Sequence, residues 1–181
     1  FMCGISGIFS YYLEKEILID AAKNMSQKLY HRGPDDGNIW VDPKVSLALA
    51  HRRLSIVDLS RAGQQPMLSS CERYCLIFNG EIYNHLSIRK ELPDSIKWKG
   101  HSDSETLVNG IANLGLENML GKTVGMFAFA IWDRYKEKLT IVRDRMGEKP
   151  LYYGFQDKCL IFGSELKAIT AFPRFSKVID R

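Results

Sequence analysis

Cys3 stands two residues from the amino terminus, and once Met2 is removed it carries a thiol and a free α-amino group on the same residue. An α-amino group has a reference pKa of about 7.7 to 8.0, so near neutrality a useful fraction is unprotonated and can take the thiol proton, directly or through a water. Phe1, ahead of Met2, reads as an added residue in front of an initiator methionine. An arbitrary cysteine is more often a small buried apolar residue than a nucleophile. Cys3 therefore gains meaning only if other residues can complete a reaction.

Three further positions could do so. Asn79-Gly80 follows the apolar run YCLIF and, on its own, is most often a hairpin turn. The pair can also donate together, because an Asn carboxamide and a glycine amide can converge on a developing oxyanion. Glu81 and Tyr83 in NGEIYN favour a helix-entry segment over a two-residue hairpin. Arg53 in HRRLSIVD offers a planar fork suited to a carboxylate, against the plainer reading of a solvated arginine pair at a strand edge. Asp103 in GHSDSE suits either a first-turn helix residue or a partner for an ammonium group. Arg53 and Asp103 together could bracket both charges of a free α-amino acid, leaving its side chain to reach Cys3.

Other chemistries lack their residues. Cys71 and Cys75 have no matching second pair, and His31, His51, His85 and His101 lack HExxH-type spacing, so no metal is expected. Neither a GxxxxGK[ST] loop nor a dinucleotide fingerprint is present, so ATP chemistry is not expected in this segment. The HRGPDDG stretch at 31–37 reads mainly as a helix stop, with at most a supporting role.

These residues need a scaffold, and the chain can supply one. Its 181 residues are 45% hydrophobic, enough to bury one sizeable core, and its net charge of +4 is spread without the basic runs of a nucleic-acid surface. No apolar stretch approaches the roughly 20 residues of a membrane span, and the cysteines at 3, 71, 75 and 159 match no disulfide framework. A cytoplasmic protein with reduced thiols is expected. GISGIFS at 4–10 reads as a buried strand, and Leu18, Ala22, Met25 and Leu29 as one face of a helix. Residues 37–41 and 45–50 read as a hairpin, 74–78 as a strand ending at Asn79-Gly80, and 84–92 and 104–120 as helices, with Gly110 a weak point in the second. Runs at 126–133, 139–143, 151–153 and 160–162 suggest antiparallel strands, and Phe172 to Arg181 reads as the start of a linker. Strands at both ends with helices between them favour an α+β domain.

In order and spacing, MCGISGIF, HRGPDDG, HRRLSIVDLS, GQQPM, FNGEIYN, HSDSE, GMFAFAIWD, RDRMGEKPLYY and SELKAI resemble the glutaminase domain of class II glutamine amidotransferases, most of all the amino-terminal half of glutamine-hydrolysing asparagine synthetase. The likeness covers roughly residues 2–171. It implies an N-terminal-nucleophile hydrolase fold, a four-layered αββα sandwich, with residues 3–171 as the glutaminase domain and 172–181 leading to a separate synthetase domain. It further implies Cys3 as nucleophile, Asn79 and Gly80 as oxyanion donors, Arg53 with Leu54, Ser55, Ile56 and Val57 around the glutamine carboxylate, and Glu81 and Asp103 around its amino group. Implied partners are glutamine and the C-terminal synthetase domain, with a homodimer as one option. ATP and magnesium would belong to the synthetase half, with no cofactor in this one. Two alternatives are a catalytically silent amino-acid-binding or scaffolding domain and the glutaminase domain of a sugar-phosphate or purine amidotransferase.

Overall fold

Glycine-punctuated apolar residues at the amino terminus form strand β1 (Gly4–Ser10), buried along almost its whole length and flanked on both edges by strands of a five-stranded sheet. The structure, a computed structural model, describes residues 3–42, 44–54, 61–173 and 175–176. The chain divides into two compact units, residues 1–54 with 150–181, and residues 55–149.

In the first unit, β1 pairs antiparallel with β3 (Ser46–Arg53), and β3 with β2 (Asp36–Val41), as the hairpin reading expects. On its other side β1 pairs with β9 (Cys159–Gly163), which pairs with β8 (Tyr152–Gln156). Helix α1 (Lys15–Gln27) turns Leu18, Ala21, Ala22 and Met25 into a core with Ile8, Ala48 and Ile161. That apolar spacing is what makes the segment a helix with one buried stripe. The short helix α5 (Leu166–Ile169) adds Ile169 to this core, and Phe172 closes it with Phe175 packed alongside. Residues 174 and 177–181 of the expected linker lie outside the described residues.

The second unit carries a four-stranded sheet in the order β4-β5-β6-β7, with β4 (Met67–Leu68), β5 (Tyr74–Ile82), β6 (Gly125–Asp133) and β7 (Lys138–Arg143), again antiparallel throughout. Leu76, Phe78, Phe127 and Phe129 from the sheet pack with Leu107, Val108 and Ile111 of helix α3 (Asp103–Leu114). Each unit thus holds one sheet and its helices, and the fold is α+β. Among the described residues no helix is long and apolar enough to cross a membrane.

Three local expectations fail for identifiable reasons. The helix expected over 104–120 is two helices, α3 and α4 (Leu116–Lys122), because Gly115 sits at φ +82° and breaks the helical run. Gly110 is no weak point: the Met119 sulfur fills the space a Cβ would take there, so glycine lets α4 close onto α3. Asn79-Gly80 does not end a strand or enter a helix but lies inside β5, paired with Ala128 and Phe127 of β6. Helix α2 (His85–Lys90) begins only after Asn84.

The turn leaving β6 depends on Asp133. It accepts two hydrogen bonds from Arg73, at 3.0 and 2.6 Å, and the backbone N–H groups of Tyr135 and Lys136. Burial works against its charge, but the Arg73 guanidinium and those amides hold its carboxyl at about 2. A depressed carboxyl contributes stability above its unfolded pKa of about 3.9 and loses it as pH falls toward the folded value. Asp133→Asn should therefore lower the denaturant midpoint at pH 7, and the gap to the parent should shrink between about pH 4 and pH 2. A gap of constant size across that window would remove the ion pair from the explanation.

Candidate active site

The residues singled out for chemistry fall into two groups, one in each unit. In the first, Cys3 immediately precedes β1, and the antiparallel register of β1 against β3 sets Gly4 opposite Arg52. This brings the half-buried Cys3 to the end of β3, where its Sγ lies 3.5 Å from the Leu54 N–H and 3.8 Å from the Leu54 carbonyl. Arg53, buried, precedes Leu54, and its carbonyl accepts from the Asp35 N–H at 3.1 Å. The structure therefore places Cys3, Arg53 and Leu54 together. Ser55, Ile56 and Val57 lie outside the described residues.

Arg32, from the HRGPDDG stretch given only a supporting role, holds Cys3 directly. Its Nε donates to the Cys3 carbonyl at 3.0 Å and its Nη1 to Glu165 at 2.9 Å. Glu165 follows β9, whose pairing with β1 carries it to this end of the sheet. The SELKAI block was the only sequence signal for it.

The second group is built on β5. Asn79 is fully buried, and neither its Nδ2 nor its Oδ1 has a hydrogen-bond partner among the described residues. Leaving such an amide unsatisfied costs roughly 1 to 3 kcal/mol, so a buried orphan of this kind invites a ligand. Its neighbour Gly80 directs its own N–H away from β6. The facing residue Phe127 uses its N–H and C=O on Asp144, at 3.2 and 2.8 Å, so Gly80 and Phe127 form a pair that exchanges no ladder bonds. The N–H groups of Phe78 and Ile82, two residues to either side, leave β5 by the same edge and donate to Gln65 at 2.6 Å and Asp103 at 2.9 Å. β4 covers this edge only at Cys75 and Leu76.

Glycine is required at position 80 for close approach. A Cβ there would sit 2.3 Å from the Met126 carbonyl oxygen and 2.7 Å from the Phe127 Cα. The residue's value thus lies in sheet packing that leaves its amide free at the edge, and not in unusual backbone angles.

Asp103 joins this group through its bond to Ile82. Its other carboxylate oxygen accepts from the Ser104 N–H at 2.8 Å, as the first residue of α3, while Ser102 caps the helix by accepting from the Glu105 N–H at 3.2 Å. Burial raises the Asp103 pKa, with the Ile82 and Ser104 amides opposing the rise. A buried carboxyl in this state favours its charged form when a cation arrives beside it. Glu81, exposed, lies one residue beyond Gly80 on β5. The structure therefore brings Asn79, Gly80, Glu81 and Asp103 to one edge of the second sheet.

Known proteins match this chain along nearly its whole length. A family model described as a glutamine amidotransferase domain matches residues 2–181. Asparagine synthetase [glutamine-hydrolyzing] 3 of Bacillus subtilis is 36% identical over 99% of this chain and 29% of its own length. Asparagine synthetase B [glutamine-hydrolyzing] of Escherichia coli is 37% identical over 97% of the chain and 31% of its own length. The chain thus spans about a third of the length of these relatives. Among solved structures, an allosteric regulatory enzyme of purine biosynthesis superposes with a TM-score of 0.77 at 20% identity, over 94% of this chain and 43% of that one. Glutamine phosphoribosylpyrophosphate amidotransferase from B. subtilis gives 0.73 at 21% identity with the same coverage. These structural likenesses show the fold. With a family model over nearly every residue and relatives above 30% identity along almost the whole chain, this protein belongs to the glutamine amidotransferase domain family.

Proposed function

We propose that this domain hydrolyses glutamine to glutamate and ammonia through a thioester on Cys3, and that the ammonia serves an ATP-dependent, amide-forming synthetase domain of the asparagine synthetase kind. The α-amino group of Cys3 takes the thiol proton, and the sulfur attacks the carboxamide carbon of glutamine. Collapse of the tetrahedral intermediate expels ammonia, which leaves with the proton held by the amine. Water, deprotonated by the same amine, then attacks the thioester and returns glutamate and the thiol.

Asn79 Nδ2 and the Gly80 N–H are assigned to the oxyanion of each intermediate. Arg53, with 54–57, is assigned to the substrate carboxylate, and Asp103 and Glu81 to its ammonium group. The observation that carries this reading is the buried Asn79 carboxamide with no hydrogen-bond partner among the described residues, next to a glycine amide turned to an edge of β5 that β4 does not cover. A silent scaffold has no use for such a pair, since burying an unsatisfied amide is a cost without return. Four cysteines that form no disulfide among the described residues suit a reducing compartment such as the cytoplasm. The synthetase partner, with its ATP and magnesium, is proposed because the relatives are named as synthetases and run to about three times this length.

Asn79→Ala tests the oxyanion role. Removing one such donor costs roughly 10²- to 10³-fold in kcat, about 2.7 to 4 kcal/mol, while ground-state glutamine binding changes far less. Steady-state ammonia release against glutamine concentration measures both. Unchanged kcat in the folded variant would refute the assignment.

A further inference from the structure

The β1–β9 pairing brings together side chains that are remote in sequence. The Ser164 N–H donates to the Ile5 carbonyl at 2.9 Å and the Ser164 Oγ accepts from the Ile5 N–H at 3.0 Å, so Glu165 arrives beside the residues that follow Cys3. Three basic side chains converge on its carboxylate. Arg32 Nη1 and His31 Nε2 each lie 2.9 Å from Oε1, and Lys167 Nζ lies 3.0 Å from Oε2. Burial opposes the charge, but these three partners hold the carboxyl at about 2, so it is ionised wherever the protein is folded and active.

The Glu165 side chain is 25% accessible, so solvent screens part of what the ion pair contributes to folding. Its effect is better sought in what Arg32 holds. The guanidinium is planar, so engaging Nη1 on Glu165 fixes the direction of Nε, and Nε donates to the Cys3 carbonyl at 3.0 Å. Fixing that carbonyl fixes the backbone torsion that sets both the thiol and the amine of the same residue.

The geometry points to Glu165 as a positioning residue for the nucleophile, acting through Arg32 on Cys3. This rests on Cys3 being the nucleophile, as proposed above. It acts on the chemical step and not on glutamine affinity, because among the described residues its side-chain partners are Arg32, His31 and Lys167, none of them assigned to the substrate carboxylate or ammonium.

The test uses protein beginning at Cys3, with Glu165→Ala and Glu165→Gln made alone and in combination with Arg32→Ala. Glu165→Ala should lower kcat roughly 10- to 100-fold, the scale of a misplaced reacting group, with KM for glutamine within about twofold. Glu165→Gln keeps the shape and an acceptor for Arg32, and should fall between Glu165→Ala and the parent. If Glu165 works through Arg32, Glu165→Ala adds no further loss to Arg32→Ala. A kcat per folded molecule within about twofold of the parent in both single variants would overturn the proposal, whatever their melting temperatures. So would a full further loss on top of Arg32→Ala. Should Glu165→Ala fail to fold, Glu165→Gln with and without Arg32→Ala carries the same comparison. Full turnover by a Cys3→Ala variant would instead sink the nucleophile assignment itself, an outcome none of the Glu165 variants can mimic.

Discussion

Glutamine hydrolysis should fall by roughly 10²- to 10⁴-fold when Phe1 and Met2 remain attached to Cys3, compared with the same chain beginning at Cys3. The reason lies in the nitrogen. As a free amine it has a lone pair and a pKa near neutrality, whereas acylated by Met2 it is an amide with no basicity at working pH. Cys3 Sγ lies against the Leu54 backbone, and a peptide N–H or carbonyl is no base to stand in for the amine. Arg32 reaches only the Cys3 carbonyl and, as a guanidinium, cannot accept a proton. The measurement is ammonia release by two samples whose amino termini are established by intact mass. Equal rates would remove the amine from the mechanism and leave the thiol to find its base elsewhere.

Much of this scaffold was legible in the sequence because its signals are local. The run at 4–10, the helical spacing of Leu18, Ala22 and Met25, and the 37–50 hairpin emerge as β1, α1 and β2–β3 with small shifts at their ends. Apolar runs at 126–133 and 139–143 likewise pair as expected. What the local pattern does not contain is which strands meet across the chain. β7 and β8 follow one another yet belong to different sheets, and β9 crosses back to β1 near the other end of the chain. That crossing alone puts Glu165 within reach of Arg32, and nothing in the spacing of either residue announces it. β4, at two residues, is too short to leave a periodic signal.

The misreading of Asn79-Gly80 has a different cause. As a dipeptide it prefers a turn, but that preference is worth little against nine residues of β5 paired with β6 and backed by Phe78, Phe127 and Phe129. The sheet needs glycine at position 80 because the neighbouring backbone leaves no room for a Cβ. The oxyanion reading of the pair expects two donors; in the structure the pair is a buried carboxamide with no hydrogen-bond partner among the described residues, beside an amide facing an edge that β4 leaves uncovered. Arg53 and Asp103 were recognisable as charged residues in apolar or helix-entry contexts. Their surroundings were not, since the Ile82 amide and the burial that raises the Asp103 pKa both arise from tertiary packing.

The largest effect of all is expected from a single sulfur. Without a nucleophile no thioester can form, and the oxyanion donors alone would be left to promote direct attack of water on a carboxamide, a far slower reaction. In enzymes that work through a covalent intermediate, loss of the nucleophile costs on the order of 10⁴- to 10⁶-fold in kcat. The other three cysteines offer no substitute. Cys75 and Cys159 are buried within the sheets and Cys71, though exposed, lies between β4 and β5, away from the Asn79–Asp103 edge in sequence and contacts alike. The substitution itself is mild, because Cys3 is half-buried and precedes the first strand, so Cys3→Ala should fold and melt as the parent does.

Ammonia release from glutamine by matched samples beginning at residue 3, parent against Cys3→Ala, is therefore the most direct measurement. The thioester mechanism predicts turnover in the variant at least about 10⁴-fold below the parent. Turnover by the folded variant at a rate comparable to the parent would contradict it.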